Sequence, residues 1–249
     1  MTGTLTIMQL TIHQFLRAKS VLVVAAICAI PIFLALILRM ANPNLSVVDM
    51  RETIGEGIFL GLFSSTLLPL AALVLSTAAL GDELDDKTLH YLALKPVSRL
   101  RIVIEKYIGT LLITVPIAWG ALLAVWLVVS WGEIDATRDL PWPMLVASIG
   151  GVAGFAALFQ LVSLYVPRAL LVGIFYVFVW EATVSQFLPG IRTISIRHYM
   201  QSIFVRLAGD PEITLDGVSR LSTASITIVV IIVLSLLLSA RRLRRMNLD

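Results

Sequence analysis

The sequence predicts an all-α integral membrane protein with six transmembrane helices. Three observations lead there. Hydrophobic residues make up 58% of the 249 positions and charged residues only 14%, where a soluble domain is near half apolar and about a quarter charged. The mean hydropathy is +0.94. The apolar residues also fall in separate runs of roughly 20, the length a helix needs to cross about 30 Å of hydrocarbon. Membrane strands would instead alternate over about 10 residues.

The chain reads as one transmembrane domain over residues 1–249, with no internal repeat, low-complexity tract or soluble domain. Residues 1–19 precede the first apolar run. Within "TLTIMQLTIHQFLRAK", Leu5, Met8, Ile12, Phe15 and Leu16 fall near one helical face, while Gln9, His13 and Arg17 lie elsewhere. That weak amphipathicity suits a helix lying along the inner interface; the alternative is a frayed terminus. The first run continues past the usual signal-peptide core of about 7–15 residues without a clear cleavage site, so no cleaved signal is expected.

The six expected spans are 21–38, 58–80, 107–131, 144–166, 169–188 and 221–240. Only Pro167 and Arg168 separate the fourth from the fifth, which predicts a tight helical hairpin. Pro69 and Pro116 fall inside the second and third spans and each can kink its helix. Gly150 and Gly154, four apart in "SIGGVAGFAA" with Gly151 beside them, allow close helix packing. Tryptophans 119, 126, 131, 142 and 180 lie mostly near span ends, as interface anchors do.

Orientation follows from the basic residues. With the N-terminus inside, the cytoplasmic pieces carry twelve Lys and Arg and the outer pieces seven. The positive-inside rule then places both termini in the cytoplasm. The closing "RRLRR", including Arg241 and Arg242, sits where anionic inner-leaflet lipid would hold it. The net charge of +3 is therefore read as lipid anchoring, not nucleic-acid binding.

Between spans five and six, residues 189–220 are long, yet the first half is rich in Ile, Tyr, Phe and Met. Ile191–Leu207 is expected to form one or two short helices at the outer interface or dipping into it. Arg192, Arg197 and Arg206 would then reach toward headgroups.

Charge concentrates in "GDELDDKTLHYLALKPVSRLRIVIEK", Gly81 to Lys106. Asp82, Glu83, Asp85 and Asp86 come first; Lys87, Lys95, Arg99 and Arg101 follow. Acidic residues favour the first turn of a helix, so a short helix is expected to start near Gly81 and end before Pro96. Acids and leucines on such a helix suit docking against a cytoplasmic partner, although an ordinary solvated loop fits the same composition.

At this point the chain resembles a known family, the membrane subunits of type-2 ABC exporters. Their loop between spans two and three commonly reads E-x-E-x-G-T-L, then a leucine pair, P-V-S-R, and a lysine near span three. Here Glu83, Asp85, Thr88, Leu89, Leu92, Pro96, Val97, Ser98, Arg99 and Lys106 stand in matching order, with Lys87 where glycine is usual. The resemblance implies a cytoplasmic coupling helix in 81–100, a second permease subunit (identical or different), and separate ATPase subunits that hold the ATP and magnesium. It assigns ATPase coupling to Asp82, Glu83, Asp86, Lys87 and Thr88, and phospholipid anchoring to Arg99 and Lys106. No G-x-x-x-x-G-K-[ST] phosphate loop occurs in the chain, so ATP hydrolysis is expected in a partner and no cofactor in this chain.

Glu181 is the remaining candidate. It lies about twelve residues into span five, roughly 18 Å from the inner end. An ionisable group at that depth marks either a substrate path facing a dimer cavity or a polar contact between helices. On the first reading, Glu181→Gln impairs transport more than assembly. Catalysis has little support: His13, His90 and His198 are scattered, and there is no H-E-x-x-H, Cys/His cluster or G-x-S-x-G. The expected function is thus the permease of an inner-membrane exporter. Its apolar spans hint at a lipid, hydrophobic peptide or drug-like cargo. The alternatives are a membrane scaffold or mechanotransducer driven by the same ATPase, and an intramembrane enzyme.

Overall fold

The computed structural model describes residues 6–17, 19–85, 98–184 and 195–245, and every regular element among them is helical. Five helices are long and apolar enough to cross a membrane. A sixth apolar helix, Ala169–Glu181, is shorter. The expected end of that span, Leu188, lies outside the described residues.

Helix α1 (Thr6–Arg17) turns its buried Thr11 and Phe15 inward and leaves His13 and Gln14 exposed. It packs on the start of α5 (Arg99–Val129), where Gly109 leaves room for Thr11. Helix α2 (Lys19–Ala41) buries a stripe of Val24, Cys28, Pro31 and Ala35, spaced three and four apart, against α5 and α4 (Leu68–Asp85). Its other faces carry exposed Leu22, Phe33, Ile37 and Met40, the composition of a lipid-facing surface.

The second span differs from the expected 58–80. Ser46 caps α3 (Val47–Glu52) in a reciprocal capping box with Asp49. The helix then runs without a break through wide π-helical turns (Thr53–Leu67) into α4 (Leu68–Asp85). Hydropathy alone excludes Arg51, Glu52 and Glu56 from a span. The structure accommodates two of them because Arg51 and Glu56 find partners on distant segments, as described below. In the π-helical stretch the Ser64 and Ser65 hydroxyls donate to the Leu60 and Gly61 carbonyls four residues back, satisfying buried hydroxyls within the helix itself.

Span three likewise begins earlier than Tyr107, because Ser98 caps α5 through the Arg101 amide. A single-turn helix, α6 (Ile134–Thr137), accepts the Trp126 indole N–H on Thr137. Helix α7 (Pro141–Tyr165) is the central element, packed against α4, α5, α9 (Ile196–Ala208) and α10 (Leu221–Arg245). Its glycines serve packing within the chain: Gly151 faces Met200, Gly154 faces Ile196 and Gly150 faces Ile228. Arg168, in a left-handed conformation at φ 57°, closes the short turn into α8 (Ala169–Phe175), which continues as π-helical Tyr176–Val184. Gly173 lets α8 approach Leu73 of α4.

Within the segment expected to form one or two short helices at the outer interface or dipping into it, one helix forms, α9 (Ile196–Ala208). It is held within the bundle against α7, α10 (Leu221–Arg245) and the π-helical stretch of span two, with Ile196 to Phe204 all buried. Phe204 packs on Phe59 with ring centroids 4.3 Å apart. Arg192 lies outside the described residues. Arg197 does not reach for headgroups: it is buried, and its Nη1 donates to the Glu181 carbonyl at 3.0 Å. Arg206 is exposed but donates to the Val218 and Ser219 carbonyls.

Candidate functional site

Because α4 and α5 run antiparallel, Ala79, Ser98 and Lys106 share one end of the bundle with Tyr165 and the last turn of α10. At this end α4 continues as regular helix through Gly81 to Asp85. No new helix begins at Gly81; Asp82 and Glu83 ride on the tail of span two. Asp86, Lys87 and Thr88 lie outside the described residues, as does the rest of the expected coupling segment up to Val97.

The bases of that segment are fastened together. Lys106 is 1% exposed, and its Nζ donates to the Ala79 carbonyl at 2.7 Å, tying α5 to α4. The expected lipid anchor is therefore an interior contact, because the side chain leaves α5 on its helix-facing side. One turn earlier, Arg101 Nε pairs with Glu105 Oε1, and Glu105 Oε2 accepts the Met8 amide of α1 at 3.3 Å. Gln160 of α7 donates to the Val103 carbonyl at 3.0 Å. Leu80, Ile102, Val103, Leu164, Ala240 and Leu243 form a small apolar cluster beside these contacts. Arg99, partly exposed, opens α5. Arg242 lies over the Tyr165 ring at 4.9 Å and donates to the Leu164 carbonyl, covering the C-terminal end of α7, while Arg241 is exposed.

A second polar centre surrounds Glu181. Its side chain is fully buried. Oε1 accepts the Tyr176 hydroxyl at 2.8 Å and the Ile196 amide at 3.3 Å, and Oε2 accepts the Ser195 hydroxyl. Ser195 in turn is the N-cap of α9, accepting the His198 amide. Glu181 thus closes the N-terminus of α9, where unpaired amides and the helix dipole favour an acceptor. Further along α9, Gln201 donates to the Leu60 carbonyl and to Ser64 Oγ of span two. The carboxyl group is a buried polar contact that positions a helix.

At the opposite end Arg51 forks onto Asp139, with Nη1 3.0 Å from Oδ1, and its Nε donates to Asp210 at 2.6 Å. Asp139 lies between spans three and four, and the hydrogen-bonded Arg51 guanidinium holds its carboxyl below the usual carboxylate range. Nothing in the local sequence pairs these three positions. Among the described residues, no group of three or more His, Cys, Asp or Glu side chains could hold a metal ion.

Apolar helices of bilayer length, packed around α7 and joined at one end by an acidic segment, make a transport component the natural comparison. A family model described as ABC-2 family transporter protein matches residues 15–185. The chain belongs to the ABC-2 transporter family. The matched region starts in α1 and reaches past Glu181, so it covers residues 81–100, the first four expected spans and all but the last three residues of the fifth. It ends before α9, so the burial of that helix is a feature read from the structure alone. No curated protein matches the chain.

Proposed function

We propose that this ABC-2 family chain is the permease subunit of an ATP-driven exporter in the cytoplasmic membrane. It crosses the membrane six times with both termini inside, pairs with a second permease, and couples to separate ATPase subunits through 81–100. Family membership supports the permease role, and the missing phosphate loop supports division of labour with an ATPase that holds ATP and magnesium. The observation that carries the coupling assignment is the Lys106–Ala79 bond. It joins the two helices that flank the segment, so force applied to Asp82, Glu83, Asp86, Lys87 or Thr88 reaches α4 and α5 as one unit. Motion of such a unit is the rigid-body kind that switches a bistable bundle.

The test is co-purification from native membranes. An ATPase subunit bearing a phosphate loop should be retained by the parent chain and lost when residues 82–88 are replaced by alanine. Retention of the ATPase by that variant would remove the segment from the interface.

A further inference from the structure

The geometry points to residues 209–220 as a hinged strap that seals the outer end of the bundle, with Ile213 as its plug and Arg51 and Glu56 as its latches. This inference rests on the permease reading for its role, as a seal that lifts when cargo leaves.

The segment has little packing of its own. From Gly209 to Arg220 Ile213 is the one apolar residue that is buried, and the Asp210 carboxyl is buried with it against Arg51. Its side chain occupies a notch at Gly55 in the π-helical stretch of span two. A Cβ built on Gly55 would lie 2.4 Å from Ile213 Cδ1 and 2.7 Å from Cγ1, so only glycine leaves room for the plug. One turn further along that helix, the Phe59–Phe204 pair lies inside the same core cluster as Ile213.

Two polar contacts flank the plug, and both reach span two from the strap. Arg51 Nε donates to Asp210 Oδ2 at 2.6 Å, while the same guanidinium grips Asp139 and the Ala136 carbonyl. Glu56 Oε1 accepts both the Thr214 amide at 2.6 Å and its hydroxyl at 2.9 Å. The plug thus sits between an ion pair on one side and a two-donor hydrogen bond on the other.

Hinges bound the latched part. Gly209 and Gly217 both adopt left-handed conformations, φ 59° and 71°, which side-chain-bearing residues adopt with strain. Beyond Gly217 the chain is fixed: Ser219 meets His198 Nε2 and the Ser202 hydroxyl, and Arg206 holds the Val218 and Ser219 carbonyls. Residues 210–216 can therefore swing on two glycines while the ends stay in place. The buried Ile213 side chain, the largely buried Arg51–Asp210 pair and the solvent-facing Glu56–Thr214 contact are the ties to span two, few enough for the segment to open locally.

The test uses the full chain in its native membrane with its partners, in a Cys28→Ala background. Ile213→Cys should react slowly with a membrane-impermeant maleimide, and Glu212→Cys beside it should react fast. Removing the latches with Glu56→Ala and Asp210→Ala should raise Ile213→Cys labelling by about tenfold or more, the population change that follows loss of a hydrogen bond to a charged group. Equal labelling of the two cysteines in the latched protein, or no rise on unlatching, would overturn the strap. The paired variant Gly55→Cys with Ile213→Cys places two thiols within disulfide reach. Oxidation should then suppress the ATP hydrolysis of the isolated complex, and reduction should restore it. Unchanged hydrolysis with the bridge formed would overturn the sealing role. If no ATPase is isolated even with the reduced protein, the permease reading fails instead, and the maleimide arm still reports on the strap.

Discussion

Replacing Glu181 with alanine tests whether its carboxyl group positions α9. The substitution strips the acceptor from three buried donors: the Tyr176 hydroxyl, the Ser195 hydroxyl and the Ile196 amide. It also removes a carboxyl group that interacts electrostatically with the buried Arg197 side chain. Hydrogen bonds measured within membranes average about 0.6 kcal/mol, so three give about 2 kcal/mol as a lower bound. An unpaired buried donor costs about 1–3 kcal/mol, so three left unpaired give about 3–9 kcal/mol as the upper range. At about 2–4 °C per kcal/mol for a chain of this size, the lower bound alone is a drop of about 4–8 °C. Glu181→Gln keeps one carbonyl oxygen and should fall between parent and alanine variant. The assay is thermal melting of the detergent-purified protein, followed by fluorescence-detected gel filtration. If Glu181→Ala melts together with the parent, the carboxyl group does not hold α9 and the positioning argument fails. This places the first effect of substitution on stability, where the sequence alone suggests transport.

Other predictions follow from single contacts. Gly173→Val should destabilise by about 1–3 kcal/mol through overpacking, since a Cβ there meets Leu73 Cδ1 at 2.1 Å; Gly120→Ala, with nothing within 4 Å, should stabilise by about 0.5–1 kcal/mol, and the two melts should move in opposite directions. Lys106→Met should leave stability nearly unchanged because an apolar side chain of similar length replaces a buried cation, whereas Lys106→Glu, which turns a carboxylate toward the Ala79 carbonyl, should abolish recovery of monodisperse protein. The Asp139–Arg51 pair should show acid sensitivity of known sign. The folded carboxyl titrates below its ordinary range because of Arg51, so its contribution is complete above the unfolded pKa of about 3.9 and disappears as pH falls through the lower folded value. Asp139→Asn should flatten that part of the stability profile while leaving the neutral-pH melt within about 1 kcal/mol of the parent, as befits a half-exposed partner.

The apolar runs carried the location of five long apolar helices, because burying a helix in hydrocarbon demands length and apolar composition and little else. Their ends were not legible in the same way. Arg51 and Glu56 belong to the helix of span two because Asp139, Asp210 and Thr214 meet them, and no local rule pairs residues so far apart in sequence. Lys106 shows the same limit: beside a charged loop it looks like a headgroup ligand, yet it faces the Ala79 carbonyl. In α9 the apolar residues announced a helix, but the burial of Arg197 and Gln201 depends on the Glu181 and Leu60 carbonyls. The glycines of α7 were legible as packing positions, and their partners Met200, Ile196 and Ile228 emerged only in three dimensions.

The most direct measurement is a photo-crosslinker placed at Thr88 in the full chain, irradiated in native membranes. A cross-link to a phosphate-loop ATPase is the result expected if this segment receives the ATPase stroke. Cross-links confined to lipid, or reaction of the same position with an impermeant reagent added outside the cell, would contradict it.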